Sequence, residues 1–230
     1  MAFAGSHWLI IWNDFGGADE GEYESWIVRE HMNERMQVPG FLRGRRYVGE
    51  GSPRYLNMYE VDGIESLVGG AYVASLNTPS AWTRKMMPGL TNFSRVVCGS
   101  VAVHGEGVPG HLASLRVPLE KAGGAERTAA LGAVLDSIAA LPTVLGASIG
   151  LTIPAPSRID TAEKRLRTGE RDIAASEAVI AVEAASASAL GQAMPEVEAI
   201  VGRQLGHPSA IGTYALSLLL DRAAGETGPG

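Results

Sequence analysis

The stretch REHMNERMQVPGFLRGRRY, residues 29 to 47, gathers the side chains best suited to proton transfer in this 230-residue chain. His31 lies in a run with helical spacing, and with an ordinary pKa near 6.5 an imidazole is the usual proton-transfer group at neutral pH. After a Pro39-Gly40 turn, Arg43, Arg45, Arg46 and Tyr47 crowd one predicted strand. The chemistry this combination allows is acid or base catalysis by His31, with Arg45 or the hydroxyl of Tyr47 stabilising an enolate-like oxyanion. On a helical wheel His31 falls beside Tyr23 and Ile27, at the border of the apolar face. The structural alternative is a helix-border histidine held by Glu30 or Glu34.

The neighbouring strands add polar groups that must point somewhere. In 41–48, Phe41, Arg43, Arg45 and Tyr47 share one face and Leu42, Gly44, Arg46 and Val48 the other. In 55–61, Tyr55, Asn57, Tyr59 and Val61 oppose Leu56, Met58 and Glu60; in 7–15, His7, Leu9, Ile11 and Asn13 oppose Trp8, Ile10, Trp12 and Asp14. Neither face of the second strand is cleanly apolar, which fits a strand bordering a polar cavity. Arg45, Tyr47, Tyr59 and Asn13 or Asn57 are the candidates to line it, with Trp82 closing its mouth. The bland counterpart is Arg–Glu pairing on a sheet surface with tyrosines anchored at its rim.

Other groups carry less. His104 and His111 flank a Gly/Pro-rich linker, and His207 follows the last predicted helix, where it suits a helix C-terminus. Gly69-Gly70 lacks the lysine and the strand–glycine–helix context of a phosphate loop. There is no zinc-ligand spacing and no other metal motif. Cys98, the one cysteine, reads as a small buried hydrophobe. A formal net charge of −6 argues against nucleic-acid and anionic-membrane partners.

The elements that must position these residues come in two matching sets. Strand 7–15, a helix through 18–37, strand 41–49, strand 55–61, a helix near 64–76 and a strand near 95–103 give the order βαββαβ. HGEGVPG, 104–110, is punctuation, and the order restarts: HLASLRVPL, a helix from 125, LPTVLGASIGL, EAVIAVEAA, a helix from 187 carrying Pro195, and AIGTYALSLLL. The predicted fold is α+β, with one ferredoxin-like unit over 1–104 and a second over 111–222. The charged stretch at 155–176 reads as an insertion forming an exposed loop. Each sheet would cover one face with its own helices, and the two bare faces would pack sheet to sheet as an intrachain α/β barrel with a cavity between them.

That arrangement resembles the dimeric α/β-barrel superfamily in a tandem-fused form. Within residues 7–103, YESWIVREHMNERMQVPGFLRGRRY, PRYLNMYEVDG, LNTPSAWT and NFSR resemble a small-molecule-metabolism branch of that superfamily whose activity is unassigned. Its W-x4-H pattern matches Trp26 and His31 and marks Trp26 as a substrate contact. The resemblance implies a cofactor-independent isomerase, cyclase or lyase acting on a small aromatic, lactone or polyketide-like molecule. The alternatives are a cofactor-free monooxygenase and a non-catalytic carrier or sensor of small molecules. Duplicated barrels of the superfamily also include haem enzymes, but no helix of the second half carries a histidine. The segment MAFAGSHWLIIWNDF lacks a basic leader and a long apolar run, so it predicts a buried strand rather than a signal peptide or membrane span. A cytoplasmic protein, with homodimerisation allowed, is the resulting expectation.

Overall fold

The computed structural model describes residues 3–120, 124–154, 160–167 and 176–222. Eight antiparallel strands close into a barrel: β1 (His7–Phe15), β2 (Phe41–Gly49), β3 (Tyr55–Val61), β4 (Leu90–His104), β5 (His111–Pro118), β6 (Gly146–Thr152), β7 (Glu177–Ala184) and β8 (Ala210–Asp221). The order around it is β1-β3-β2-β8-β5-β7-β6-β4. It divides into two blocks, β4-β1-β3-β2 and β8-β5-β7-β6, each with the strand order of a ferredoxin-like unit. The blocks are joined edge to edge by β2–β8 and β4–β6 pairing, so closure leaves no free sheet edge.

In the first unit, α1 (Glu20–Trp26) opens on Asp19, whose side chain accepts a hydrogen bond from the Glu22 amide at 2.8 Å. It runs through a π-helical turn (Ile27–His31) into α2 (Met32–Met36). The Pro39-Gly40 turn stops it; Gly40 has φ +85°, and a Cβ there would meet the Ser66 hydroxyl at 1.9 Å. The predicted second helix is three short ones, α3 (Glu65–Val68), α4 (Gly70–Asn77) and α5 (Ala81–Met86), because Gly69 adopts an extended conformation between the first two. The second unit contributes α6 (Ala125–Ala139), α7 (Ala162–Leu166) and α8 (Ala187–Gln204), and α8 continues through Pro195.

The space between the sheets differs from the sequence expectation. It is filled. Trp8, Ile10 and Trp12 of β1 join Leu56, Met58 and Val96 and meet the smaller Val179 and Ala181 of β7. Gly150 of β6 is glycine for a visible reason: a Cβ there would lie 2.6 Å from the Trp8 indole. Of the insertion at 155–176, residues 155–159 and 168–175 lie outside the described residues. The described part, including α7, is not an exposed loop: it rests on α4 and α5 and buries Glu163.

At one end of the interior Arg45 joins the units. It donates to Glu183 of β7 at 2.7 Å and forms an ion pair with Glu60 of β3, all three fully buried. Glu60 has a second cation in Arg43, at 3.7 Å. Burial, opposed by Arg45 and reinforced by Glu60, pushes the Glu183 carboxyl up to about 7. Its folded-state pKa therefore exceeds the unfolded one, so its stabilising protonation is fully present below about pH 4.3 and lost as pH rises through about 7. Glu183→Gln should gain stability relative to the parent between pH 5 and pH 8, by up to about 3 kcal/mol, in urea unfolding. A difference that does not change with pH would contradict this assignment.

Candidate functional site

The first unit's sheet carries its second face outward, under α1, α2 and α4. A cavity of about 40 Å³ lies there, lined by side chains of β1, β3 and β4 below and of the helices above. Leu9, Ile11 and Asn13 come from β1 and Asn57 and Tyr59 from β3, as strand alternation requires. Trp26, His31 and Arg35 reach it from the long helix, and Tyr72 and Phe93 add aromatic wall.

The π-helical turn explains the spacing of Trp26 and His31. In a regular α-helix five residues separate two side chains by about 140° around the axis. The π-turn widens the winding locally, and the Met32 amide reaches back to the Ile27 carbonyl. Trp26 and His31 are thereby brought to one face with ring centroids 4.6 Å apart. The Trp26 indole N–H is held by Thr83 of α5 at 3.2 Å, which fixes the ring against which His31 lies.

Burial is the main cause of a His31 pKa well below 6.5, with the nearby guanidiniums of Arg35, Arg167 and Arg46 adding to it. At neutral pH the imidazole is uncharged. Its Nδ1 has no hydrogen-bond partner among the described residues, and neither does the Tyr59 hydroxyl, although both are buried. Two unpartnered polar groups on the lining of one cavity are uncommon in a folded chain. Around them the polar groups are braced: Asn13 donates to the Tyr23 hydroxyl at 2.9 Å, and Arg46 donates to Asn57 at 3.2 Å and Glu24 at 3.0 Å. The Arg46 guanidinium lies over the Tyr55 ring at 4.6 Å. Arg95 reaches the Tyr72 hydroxyl at 3.4 Å, and Arg167 lies over Phe93 at 4.1 Å.

His31, Asn13, Trp26, Asn57 and Tyr59 are thus brought together by the structure. Arg45 and Tyr47 are not among them. Both project from the other face of β2 into the barrel interior, where Tyr47 is 3.4 Å from Arg45 and 3.5 Å from Glu183. Trp82 sits half-buried on α5 against the same apolar cluster without lining the cavity. Sequence reasoning missed Arg35, Arg95, Glu163 and Arg167. It placed Arg46 on the opposite face from Arg45 but gave the weight to Arg45.

A larger cavity of about 260 Å³ opens at the other end of the barrel interior from the Arg45 cluster, beside Trp12, Ser114 and Tyr214. Its charged group, Arg116, is already paired with Glu177 at 2.7 Å and with Ser94 at 2.8 Å, and Trp12 donates to Ser114. We place the site in the smaller cavity, because the neutral histidine and the unpartnered hydroxyl converge there.

No family model and no curated protein matches the chain. Among solved structures it is similar to an anthrone oxidase-like protein, with a TM-score of 0.62 at 13% identity, 97% of each chain being covered. It is also similar to a candidate monooxygenase of Fusobacterium nucleatum, with a TM-score of 0.57 at 7% identity over 96% of each chain. A third, a candidate monooxygenase of Lactobacillus acidophilus, gives 0.54 at 13% identity over 94% of this chain and 96% of that one. The fold is a tandem ferredoxin-like barrel. Identities this low carry the fold alone. In the second unit the space between the sheet and α6 and α8 is occupied by Leu131, Leu135, Ile180, Val197 and Val201, and neither helix has a histidine. Those residues do not fit a haem held by a helix-borne imidazole. Among the described residues no helix is long and apolar enough to cross a membrane.

Because the folded-state pKa of His31 is depressed, its contribution to stability is present above about pH 6.5 and is lost as pH falls through the folded-state value. In an NMR titration the His31 ring should change state below pH 6.5. A midpoint at or above 6.5 would overturn the neutral-imidazole assignment.

Proposed function

We propose that the chain is a cofactor-independent oxygenase that deprotonates and then oxygenates a small phenolic or otherwise enolisable aromatic under α1. The observation that carries this reading is the neutral His31 beside an unpartnered Tyr59 hydroxyl in an aromatic-walled cavity bordered by guanidiniums. An uncharged imidazole can accept a proton. Burial chiefly keeps it uncharged, and the positive field of the guanidiniums that adds to this also favours the anion that deprotonation leaves behind. The Tyr59 hydroxyl, which burial keeps protonated, supplies a hydrogen bond to the developing oxyanion.

The steps balance with dioxygen as the co-reactant. His31 takes a proton from an activated CH2 group, leaving a carbanion delocalised as an enolate. The carbanion passes one electron to O2, and the resulting radical pair joins to form a C–O bond. Protonation by His31 gives a hydroperoxide, and loss of water across the C–H and O–O bonds leaves a ketone. One CH2 and one O2 become one C=O and one H2O. The anthrone oxidase-like and monooxygenase neighbours support this choice by analogy of fold. The isomerase, cyclase or lyase reading shares the enolate and differs only in its fate.

Within this proposal the unit over 1–104, which resembles the small-molecule-metabolism branch, supplies the reactive groups. The unit over 111–222 supplies a barrel wall and one edge of the cavity. A cytoplasmic location and a homodimer remain part of the proposal.

With an anthrone as probe, turnover should consume one O2 per ketone formed. His31→Ala should lower kcat by a factor of roughly 10²–10⁴ with the circular dichroism spectrum unchanged. Equal product formation without oxygen would replace the oxygenase by an isomerase or lyase, and binding without turnover would favour a carrier.

A further inference from the structure

Glu163 is the sole carboxylate among the described side chains that line the cavity, and it comes from the other unit. It sits on α7, 128 positions from Arg35, yet its carboxylate forms an ion pair with the Arg35 guanidinium. Both side chains are at most 3% exposed. A carboxylate is costly at such a site even when paired, and burial raises the Glu163 pKa in spite of Arg35 and Arg167. The five-residue α7 is short. Thr161 caps it by accepting from the Lys164 amide at 3.2 Å, the Ala162 amide donates to Asn77 at 2.9 Å, and the ion pair of Arg165 with Asp160 is exposed.

The cavity is too small as it stands. Sites for small organic ligands measure roughly 300–1,000 Å³, and about 40 Å³ remains with Glu163 in place. An occupant therefore competes with α7 for the same volume. Arg35 would not collapse on losing Glu163, because its other terminal nitrogen is held by Ser75 of α4. The guanidinium is fixed in advance to receive a carboxylate, in a fork that matches that group bidentately. Beside it stand the rings of Trp26, Tyr59, Tyr72 and Phe93.

We infer that the ligand of this cavity is an aromatic carboxylate whose acidic group takes the place of Glu163 on Arg35, displacing α7 as it binds. Glu163 is then a built-in stand-in for the ligand and a determinant of specificity. The inference rests on placing the site under α1, but not on the oxygenase chemistry, so binding tests it independently of turnover.

The test is titration of the full chain with 2-naphthoate and with 2-naphthamide, which share a shape and differ in charge. Calorimetry and Trp fluorescence give the affinities. The parent should prefer the naphthoate at least tenfold. Glu163→Ala should tighten naphthoate binding roughly tenfold, and Glu163→Gln, which keeps the shape, should tighten it severalfold. Neither change should favour the amide equally. Arg35→Met should erase the preference; if that variant does not fold, the two Glu163 variants decide. Amide exchange over 161–167 should rise when naphthoate binds. Equal affinities for the two probes, weaker naphthoate binding in Glu163→Ala, no binding of naphthoate to that variant, or protection of 161–167 on binding would each overturn the inference. Loss of oxygen-dependent turnover with the binding pattern intact would remove the oxygenase reading and leave this one standing.

Discussion

The indole of Trp8 crosses the barrel interior to the backbone of Gly150, in space that two facing sheets would otherwise leave between them. Ile10, Trp12, Leu56 and Met58 pack beside it, and the second unit answers with small or slender side chains such as Ala181 and Val179. Interiors filled to this density resist opening, because each methylene displaced costs contacts and exposes apolar surface. The closed barrel is therefore a scaffold. What the first unit has left to offer a ligand is the outer face of its sheet, where helices rather than a second sheet form the roof. A helical roof can be adjusted by a single extra residue in a turn, and the π-helical turn at Ile27–His31 is such an adjustment.

The two units divide the work unevenly for a physical reason. The second unit's outer face is closed by apolar packing of α6 and α8 on the sheet. The first unit's outer cavity is bordered by arginines, tyrosines and a histidine, and among the described residues the His31 Nδ1, the Tyr59 hydroxyl and the Arg35 Nε lack hydrogen-bond partners. Burial of charge is expensive unless something compensates it. In the described structure part of that compensation crosses between the units, from Glu163 to Arg35. The tandem chain thus places a segment of one half over the site of the other, beyond the two shared barrel edges.

Much of this was legible in the sequence. The βαββαβ order and its repetition follow from period-two strands, caps and the Pro39-Gly40 and Leu141-Pro142 turns. The alternation of Asn13, Asn57 and Tyr59 put them on shared faces, and His31 was marked by type and position. Which face looks into the barrel was not legible, since alternation sorts side chains into two sets without saying what covers each. That is why Arg45 and Tyr47 were chosen over Arg46. A β-bulge at the start of β2 also separates Phe41 from Arg43, so Phe41 joins Tyr59 and Tyr72 under the helices instead of following Arg45 inward. Glu163 gave no signal, because its partner is far away in the chain and its neighbours are charged, which reads as a solvated loop.

The central claim is that ligands bind outside the barrel, between the first unit's sheet and its helices. A crystal structure with an aromatic ligand bound tests it most directly. The account predicts the ring in contact with Trp26, His31 and Tyr59, with the barrel interior unchanged. A ligand seated instead beside Trp12, Ser114 and Tyr214 at the end of the barrel would contradict it.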